Sequence, residues 1–307
     1  MTLDPVLAAK VEKGARFPPM NRLPLDLVRD AALRQLATGL PKEPVGSIED
    51  IRFEGPDRPI RVRVYRPDSR GDRPLTLFFH GSGFVICSLD THDDMCRQIC
   101  RRAGSVVVSV DYSLAPERPF PAGPEDCFAA TLWAVHNAGR LGADPARLAV
   151  CGDSAGGNLA AGVALRARAE GGPAIKAQIL IYPVTDHYSA GHRSYVERGS
   201  GCGLLQEDMR WFWDSYLPDP SLAQHPAVSP ARAESLDGLP PAYIAVAEYD
   251  VLRDEGLTFA RRLAEAGIPV ELRHYPDMNH GFLNWVGIVD RAGEAMDDLT
   301  AWMRATL

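Results

Sequence analysis

The 307-residue sequence has no long apolar run, no cluster of basic residues and no C-x-x-C pair. No stretch approaches the roughly 20 apolar residues that span a bilayer, so stable membrane insertion is not expected. Residues 1–20 contain acidic residues and prolines and lack the apolar core of a signal peptide. The net charge of −7, with both signs scattered along the chain, leaves no basic stripe for a nucleic acid. These absences predict a soluble, cytoplasmic protein without a nucleic-acid partner.

The six cysteines have neither the spacing of a metal site nor the density of a secreted disulfide scaffold. We therefore expect free, partly buried thiols. His92, Cys96 and Cys100 recur every four residues along a predicted helix and would share one of its faces. Three ligands of mixed type without a fourth make a weak metal site, so we predict that no metal is bound.

Apolar residues make up 46% of the chain, which is ample for a buried core, and many occur in short continuous runs. Such runs, alternating with helical stretches, predict a mostly parallel sheet covered on both faces. Residues 48–54 and 60–65 are also strand-like, and the second segment alternates Ile or Val with Arg as a half-solvated antiparallel strand does. The predicted parallel strands are 75–79, 106–110, 147–151, 177–182, 242–247 and 270–275, and the helices that accompany them are 126–138, 158–169, 256–266 and 290–307.

One large α/β domain can reach this length, so we expect a single core with an elaboration. The first 45 residues are rich in proline and have helical character at 26–37, which predicts an arm rather than a sheet element. About 60 residues separate the strand 177–182 from the strand 242–247, much more than a usual connection. The predicted division is a cap, made of the helical arm 1–45 and the insertion 185–237, over a core of residues 46–184 and 238–307.

The run VCGDSAGG, residues 150–157, contains G-x-S-x-G between a predicted strand and a predicted helix. A tight strand-to-helix turn needs glycines beside the serine and lifts the serine hydroxyl to the head of the helix, whose dipole favours negative charge. The pattern also occurs by chance, as a glycine-rich turn with a helix-capping serine. Its position between a strand and a helix favours Ser154 as a nucleophile and the Ala155 N–H as an oxyanion donor.

A serine nucleophile needs a histidine as base and a carboxylate that orients the histidine. In folds with this turn, the carboxylate and then the histidine follow the serine along the chain. We predict Ser154, Asp250 and His280 as this triad, because Asp250 ends one predicted strand and His280 lies just past the next. Asp254 has the position of a helix-capping acid and stays the competitor of Asp250. The other histidines that follow the serine lie in the predicted cap or within the last strand: His187, His192, His225 and His274.

Five motifs together resemble the hormone-sensitive-lipase-like branch of the α/β-hydrolases, a group that includes many bacterial carboxylesterases. In chain order they are HGSGF (80–84), DYSLAPERPFPA (111–122), GDSAGG (152–157), DVLRDEG (250–256) and HGF (280–282). The resemblance covers the chain from about residue 45 to the C-terminus. It implies an α/β-hydrolase fold with an eight-stranded, mostly parallel sheet, helices on both faces and a helical cap. It also implies cofactor-free hydrolysis of small carboxylic esters with short or medium acyl chains.

The resemblance further assigns the oxyanion hole to the N–H groups of Ser82 and Gly83, together with that of Ala155. The family usually has glycine where this chain has Ser82. Any residue except proline keeps the N–H, but the serine adds a hydroxyl to a space that is normally left empty, and its backbone is penalised if φ is positive. The predicted pocket residues are Phe84, Leu204, Leu205 and Trp213.

Three other functions stay open at this point. An amidase would use the same triad, and matched ester and amide substrates would distinguish it. A lyase or dehydratase is compatible with an altered oxyanion loop, whereas a non-catalytic receptor should have lost a triad residue, and none is lost here. The sequence leaves the oligomeric state open, a homodimer included, and predicts structural roles for Asp153, Glu125 and Asp126.

Overall fold

The computed structural model describes residues 2–68, 71 and 73–307. Its strands are β1 (Ser47–Glu54), β2 (Pro59–Arg66), β3 (Pro74–Phe79), β4 (Val106–Asp111), β5 (Asp144–Asp153), β6 (Ile175–Ile181), β7 (Ala242–Tyr249) and β8 (Val270–Asn279). They form one sheet in the order β1-β2-β4-β3-β5-β6-β7-β8. The pairs β1/β2 and β2/β4 are antiparallel, and all the other neighbouring strands are parallel. The predicted eight-stranded, mostly parallel sheet is confirmed.

Helices lie on both faces of this sheet. In chain order, the helices of the described residues, on the sheet faces and elsewhere, are α1 (Pro5–Gly14), α2 (Leu25–Leu36), α3 (Asp93–Ala103), α4 (Ala122–His136), α5 (Ala138–Leu141), α6 (Ala155–Glu170), α7 (Ser194–Glu197), α8 (Gln206–Tyr216), α9 (Arg253–Glu265) and α10 (Asp290–Thr306). Side chains of α4, α6 and α9 form one buried cluster with one face of the strands, and those of α3 and α10 form a second cluster with the other. In β3, for example, Leu77 and Phe79 point into the first cluster and Phe78 into the second. The strands are apolar at successive positions because both faces are buried.

The predicted strand ends agree with the structure to within two residues, except at the start of β5 and the end of β8. The predicted helices 126–138 and 158–169 begin too late, because α4 and α6 carry glycine or proline in their first turns and these residues look like loop in the sequence. The prediction misses α1, although Asp4 accepts hydrogen bonds from the first N–H groups of that helix and Pro5 begins it.

The six cysteines are free thiols, as the sequence predicts, and all except Cys87 are buried. Cys96 and Cys100 lie in the core under the sheet, whereas the His92 ring turns toward Asp153. Within residues 2–68, 71 and 73–307, no three histidine, cysteine or acidic side chains group as a metal site requires. In the same part of the chain, no helix combines the length and the apolarity needed to cross a bilayer.

Candidate active site

The predicted catalytic residues all follow strands of the parallel part of the sheet. Ser154 comes directly after β5, Asp250 after β7 and His280 after β8. The carboxyl ends of parallel strands meet at the same edge, which is where α/β sheets bind ligands. The sheet order β5-β6-β7-β8 therefore places three residues that are far apart in sequence beside one another.

The three side chains form a continuous hydrogen-bonded line. His280 Nδ1 lies 2.7 Å from Asp250 Oδ2, and His280 Nε2 lies 3.0 Å from Ser154 Oγ. The Asp250 side chain is buried, and its other oxygen accepts the Leu252 N–H at 2.9 Å. The Tyr182 ring lies against the imidazole with 4.8 Å between centroids. When Nδ1 carries the ring proton and donates a hydrogen bond to Asp250, Nε2 is unprotonated and can accept the serine proton.

Ser154 has φ 54° and ψ −120°, an uncommon conformation for a residue with a Cβ. This sharp turn is enforced by close packing of the glycines on either side. A Cβ on Gly156 would lie 1.8 Å from the carbonyl oxygen of Phe79, and a Cβ on Gly152 would lie 2.2 Å from that of Gly156. The turn holds the serine at the N-terminus of α6, where the helix dipole favours an anion.

The competitors of the triad residues have other partners. Asp254 accepts the Ser194 N–H at 2.9 Å and pairs with Arg253 at 2.8 Å. His274 pairs with Glu248 at 3.0 Å and is exposed on the last strand. Asp250 is thus the carboxylate that contacts His280, and Asp254 fastens the start of α9 to the start of α7.

The loop after β3 carries the predicted oxyanion donors. Gly83 has φ 55° and Phe84 has φ 65°, whereas Ser82 is not among the residues with positive φ. The Gly81 N–H donates to the Asp153 carboxylate at 2.7 Å, which fastens this loop to the residue before Ser154. In the described part of the chain, the N–H groups of Ser82 and Gly83 have no protein acceptor outside helix and strand bonding. They are free to bind a substrate oxygen.

The Ser82 hydroxyl is held by its neighbours in the protein. Its Oγ lies 2.7 Å from Tyr112 Oη and accepts the Phe84 N–H at 2.9 Å, and Tyr112 Oη donates to the His80 carbonyl at 2.7 Å. Tyr112 lies within the motif DYSLAPERPFPA, but no role is predicted for it from the sequence. Its place just after β4, next to β3 in the sheet, is the signal that would have identified it.

The buried side chains of His80, His92 and Asp153 lie beside the loop after β3. Burial alone would raise the pKa of Asp153, but His92 and the Gly81 N–H hold it below its usual range. Burial lowers the pKa of His80 to about 3, so this ring stays neutral while it stacks on Tyr112 with 4.4 Å between centroids. Asp153 thus connects the loop after β3 with the residue before Ser154, and the structural role predicted for it stays a prediction.

Aromatic side chains of α8 close over the same loop. The Phe84 ring stacks on the Tyr216 ring with 3.9 Å between their centroids, and the centroid of the Trp213 ring lies 5.5 Å from that of Phe84. Phe212 packs directly on the loop: a Cβ on Gly83 would lie 2.3 Å from the Phe212 Cγ. The helical spacing of these aromatic residues places them on the face of α8 that meets the core.

Leu204 and Leu205 lie in the loop just before α8 and are half-buried. Leu204 packs against the cluster that contains Phe84 and Trp213, and the Leu205 N–H donates to Asp208 at 3.1 Å. Neither contact involves Ser154 or His280. Their contribution to a substrate pocket stays a prediction.

Comparison with known proteins extends the similarity over nearly the whole chain. A family model described as the alpha/beta hydrolase fold matches residues 76–284. The esterase LipI of Mycobacterium tuberculosis is 44% identical, with 99% of this chain and 95% of that protein covered. The ethyl acetate hydrolase of Pseudomonas putida is 36% identical, with 96% of each protein covered. A solved hyperthermophilic esterase from the archaeon Pyrobaculum calidifontis matches with a TM-score of 0.94 and 38% identity, with 99% of each chain covered.

Proposed function

We propose that Ser154, Asp250 and His280 are the catalytic triad of this chain, which belongs to the α/β-hydrolase family and is a carboxylic ester hydrolase. The observation that carries the assignment is the line of hydrogen bonds from Asp250 through His280 to Ser154. We assign the oxyanion hole to the N–H groups of Ser82, Gly83 and Ala155. Ala155 is the residue after the nucleophile and the first residue of α6.

Acylation begins when Ser154 Oγ attacks the ester carbonyl carbon and His280 Nε2 takes the serine proton. Asp250 stabilises the resulting imidazolium through Nδ1. The carbonyl oxygen becomes negative and accepts hydrogen bonds from the oxyanion N–H groups, each of which is worth about 3 kcal/mol in related sites. His280 then gives its proton to the leaving alcohol as the carbon–oxygen bond breaks, and an acyl-serine remains.

Deacylation repeats the same proton transfers with water. His280 takes a proton from the water that attacks the acyl-serine carbonyl, and the oxyanion again rests on the same N–H groups. Collapse of the intermediate returns the proton from His280 to Ser154 Oγ and releases the carboxylic acid. These residues account for every proton that the reaction moves.

We infer a substrate range of short- to medium-chain esters. The closeness of Phe212 to Gly83 and the stacking of Phe84 on Tyr216 support this inference, because they leave little room above the oxyanion loop. The Pseudomonas putida relative named for ethyl acetate hydrolysis supports it independently. Phe84, Leu204, Leu205 and Trp213 remain the proposed pocket residues.

We further place the chain in the hormone-sensitive-lipase-like branch, on the five motifs that resemble it. The contacts of α8 with the oxyanion loop support a division into a cap, residues 1–45 and 185–237, and a core, residues 46–184 and 238–307. Six free thiols suit a cytoplasmic location, which is reducing. A homodimer is also proposed, and sedimentation velocity would test it.

The proposed function is tested with Ser154→Ala and a series of p-nitrophenyl esters from acetate to laurate. The unchanged enzyme should hydrolyse the acetate and butyrate fastest. The variant should lose more than about 10⁴-fold in kcat and keep its circular dichroism spectrum, since only the nucleophile is removed. Ser235→Ala, at an exposed position, is the matched control and should keep full activity. Turnover retained in Ser154→Ala would disprove the triad, and a preference for emulsified long-chain triglycerides would disprove the small pocket.

A further inference from the structure

We propose that the Ser82 hydroxyl positions the oxyanion loop through Tyr112, without itself touching the substrate. The inference rests on the proposed function, because it concerns how residues 80–84 present N–H groups to an ester carbonyl. It gives a role to the position where this chain differs from the usual glycine. Ser82 and Tyr112 are both buried, so their contacts are shielded from water.

Three hydrogen bonds form a chain that has only one consistent direction. The His80 carbonyl oxygen can only accept, so the single proton of Tyr112 Oη, 2.7 Å away, points to it. Ser82 Oγ, 2.7 Å from the same Tyr112 oxygen, must then donate its own proton to Tyr112. A lone pair of Ser82 Oγ accepts the Phe84 N–H at 2.9 Å. Both hydroxyl groups donate once and accept once.

This chain of bonds ties the two ends of the oxyanion loop to a rigid element. His80 begins the loop and Phe84 ends it, and the two proposed donors, Ser82 and Gly83, lie between them. Tyr112 follows β4 directly, and its ring stacks on His80 with 4.4 Å between centroids. The direction of the Ser82 and Gly83 N–H groups is therefore set by a strand end and not by the loop alone.

The Ser82 hydroxyl also supports an uncommon backbone conformation. Phe84 has φ 65°, which residues with a Cβ rarely adopt, and its N–H is satisfied by Ser82 Oγ. With glycine or alanine at position 82, this buried N–H and the Tyr112 oxygen would each lose a partner. The loop would then be free to turn its donors away from the carbonyl oxygen.

A positioning role predicts a specific kinetic signature. The oxyanion exists only in the transition state and the tetrahedral intermediate, so a displaced donor lowers kcat and leaves KM almost unchanged. The affinity for a trifluoromethyl ketone should fall by the same factor as kcat, because the ketone forms a tetrahedral oxyanion adduct with the serine. The pH profile of kcat/KM should not move, because neither hydroxyl exchanges a proton with the substrate.

The experiment compares Ser82→Ala, Tyr112→Phe and the double variant, with p-nitrophenyl butyrate as substrate. Each single variant should lose about tenfold in kcat, and the double variant should lose no more than either, since both remove one chain of bonds. Ser113→Ala is the matched control. It removes a buried hydroxyl that donates to Asp126 at 2.6 Å, next to Tyr112 but outside this chain. It should lower the melting temperature without changing kcat.

Three results would overturn the inference. An unchanged kcat in Ser82→Ala with a lower melting temperature would make the hydroxyl purely structural. Losses that multiply in the double variant would show that Ser82 and Tyr112 act separately. A shifted pH profile would mean that the hydroxyl takes part in proton transfer. Failure of the proposed function is recognised separately: a p-nitrophenyl phosphonate would then fail to label Ser154 of the unchanged protein, as read by mass spectrometry.

Discussion

Asp250 and Asp254 have the same side chain but differ in what the carboxylate contacts. Asp250 is buried and lies 2.7 Å from the imidazole of His280. Asp254 binds a backbone N–H and an arginine at the start of α9. At the scale of the single residue, the role of a carboxylate is fixed by this partner and not by residue type.

Asp250→Asn should lower kcat by about 10⁴-fold, because an amide favours the wrong tautomer of the histidine and cannot stabilise the imidazolium. Asp254→Asn is the matched change four residues on, and it should leave kcat essentially unchanged. Both variants are assayed with p-nitrophenyl acetate, and their folding is checked by circular dichroism. A larger loss from Asp254→Asn than from Asp250→Asn would reverse the assignment.

At the scale of the element, the junction of β5 with α6 has glycines that differ in what surrounds them. A Cβ on Gly156 would collide with the backbone of Phe79 on the neighbouring strand β3. Gly162, farther along the same helix, has no heavy atom within 4 Å of the position of a Cβ apart from its chain neighbours and the backbone of its own helix. The first glycine is required by packing, whereas the second leaves the helix more flexible than an alanine would.

Gly156→Ala should therefore destabilise the protein by about 3 kcal/mol or more and abolish activity, since backbone atoms must move to admit the methyl group. Gly162→Ala should stabilise it by up to about 1 kcal/mol, because alanine favours the helical conformation. Urea unfolding of both variants measures the two effects. If the two substitutions changed the free energy of unfolding equally, Gly156 would not be required by close packing against β3.

At the scale of the whole molecule, Asp208 connects α8 with the N-terminal arm. Its carboxylate accepts the Leu205 N–H at 3.1 Å, and the backbone of Met20, which lies in the arm, acts to lower the Asp208 pKa. Burial raises the pKa of Asp208 to about 6, from 3.8 for the ordinary side chain. The folded state therefore holds this proton more tightly than the unfolded chain does. The stability that the neutral carboxyl contributes is lost as the pH rises from about 4 to about 6.

Asp208→Asn should be more stable than the parent protein above pH 7, and the difference should shrink toward pH 4. The gain would reach about 3 kcal/mol if the whole shift of the Asp208 pKa acts on stability. Melting temperatures between pH 4 and pH 8 measure it. Glu234→Gln removes an acidic charge at an exposed position that takes no part in raising the Asp208 pKa, so it should keep the pH dependence of the parent. If the melting temperatures of Asp208→Asn and of the parent changed with pH in the same way, the arm and α8 would not be coupled through this carboxyl.

Local sequence patterns predict the class of sheet and the turn that carries Ser154, the proposed nucleophile. Continuous apolar runs predict strands that are buried on both faces, and G-x-S-x-G between a strand and a helix predicts the turn that bears Ser154. Both are local patterns, because side-chain periodicity and glycine-dependent turns depend on neighbouring residues in the chain. The positions of Asp250 and His280 just after predicted strands are also read from neighbouring residues in the chain.

Which residues support these groups depends on contacts between distant parts of the chain. Asp153 holds the N–H of Gly81, 72 residues away, and Tyr112 holds the hydroxyl of Ser82, 30 residues away. Phe212 reaches Gly83 from a separate helix. No local pattern encodes such contacts, since they exist only once the order of the strands has brought their carboxyl ends together at one edge of the sheet.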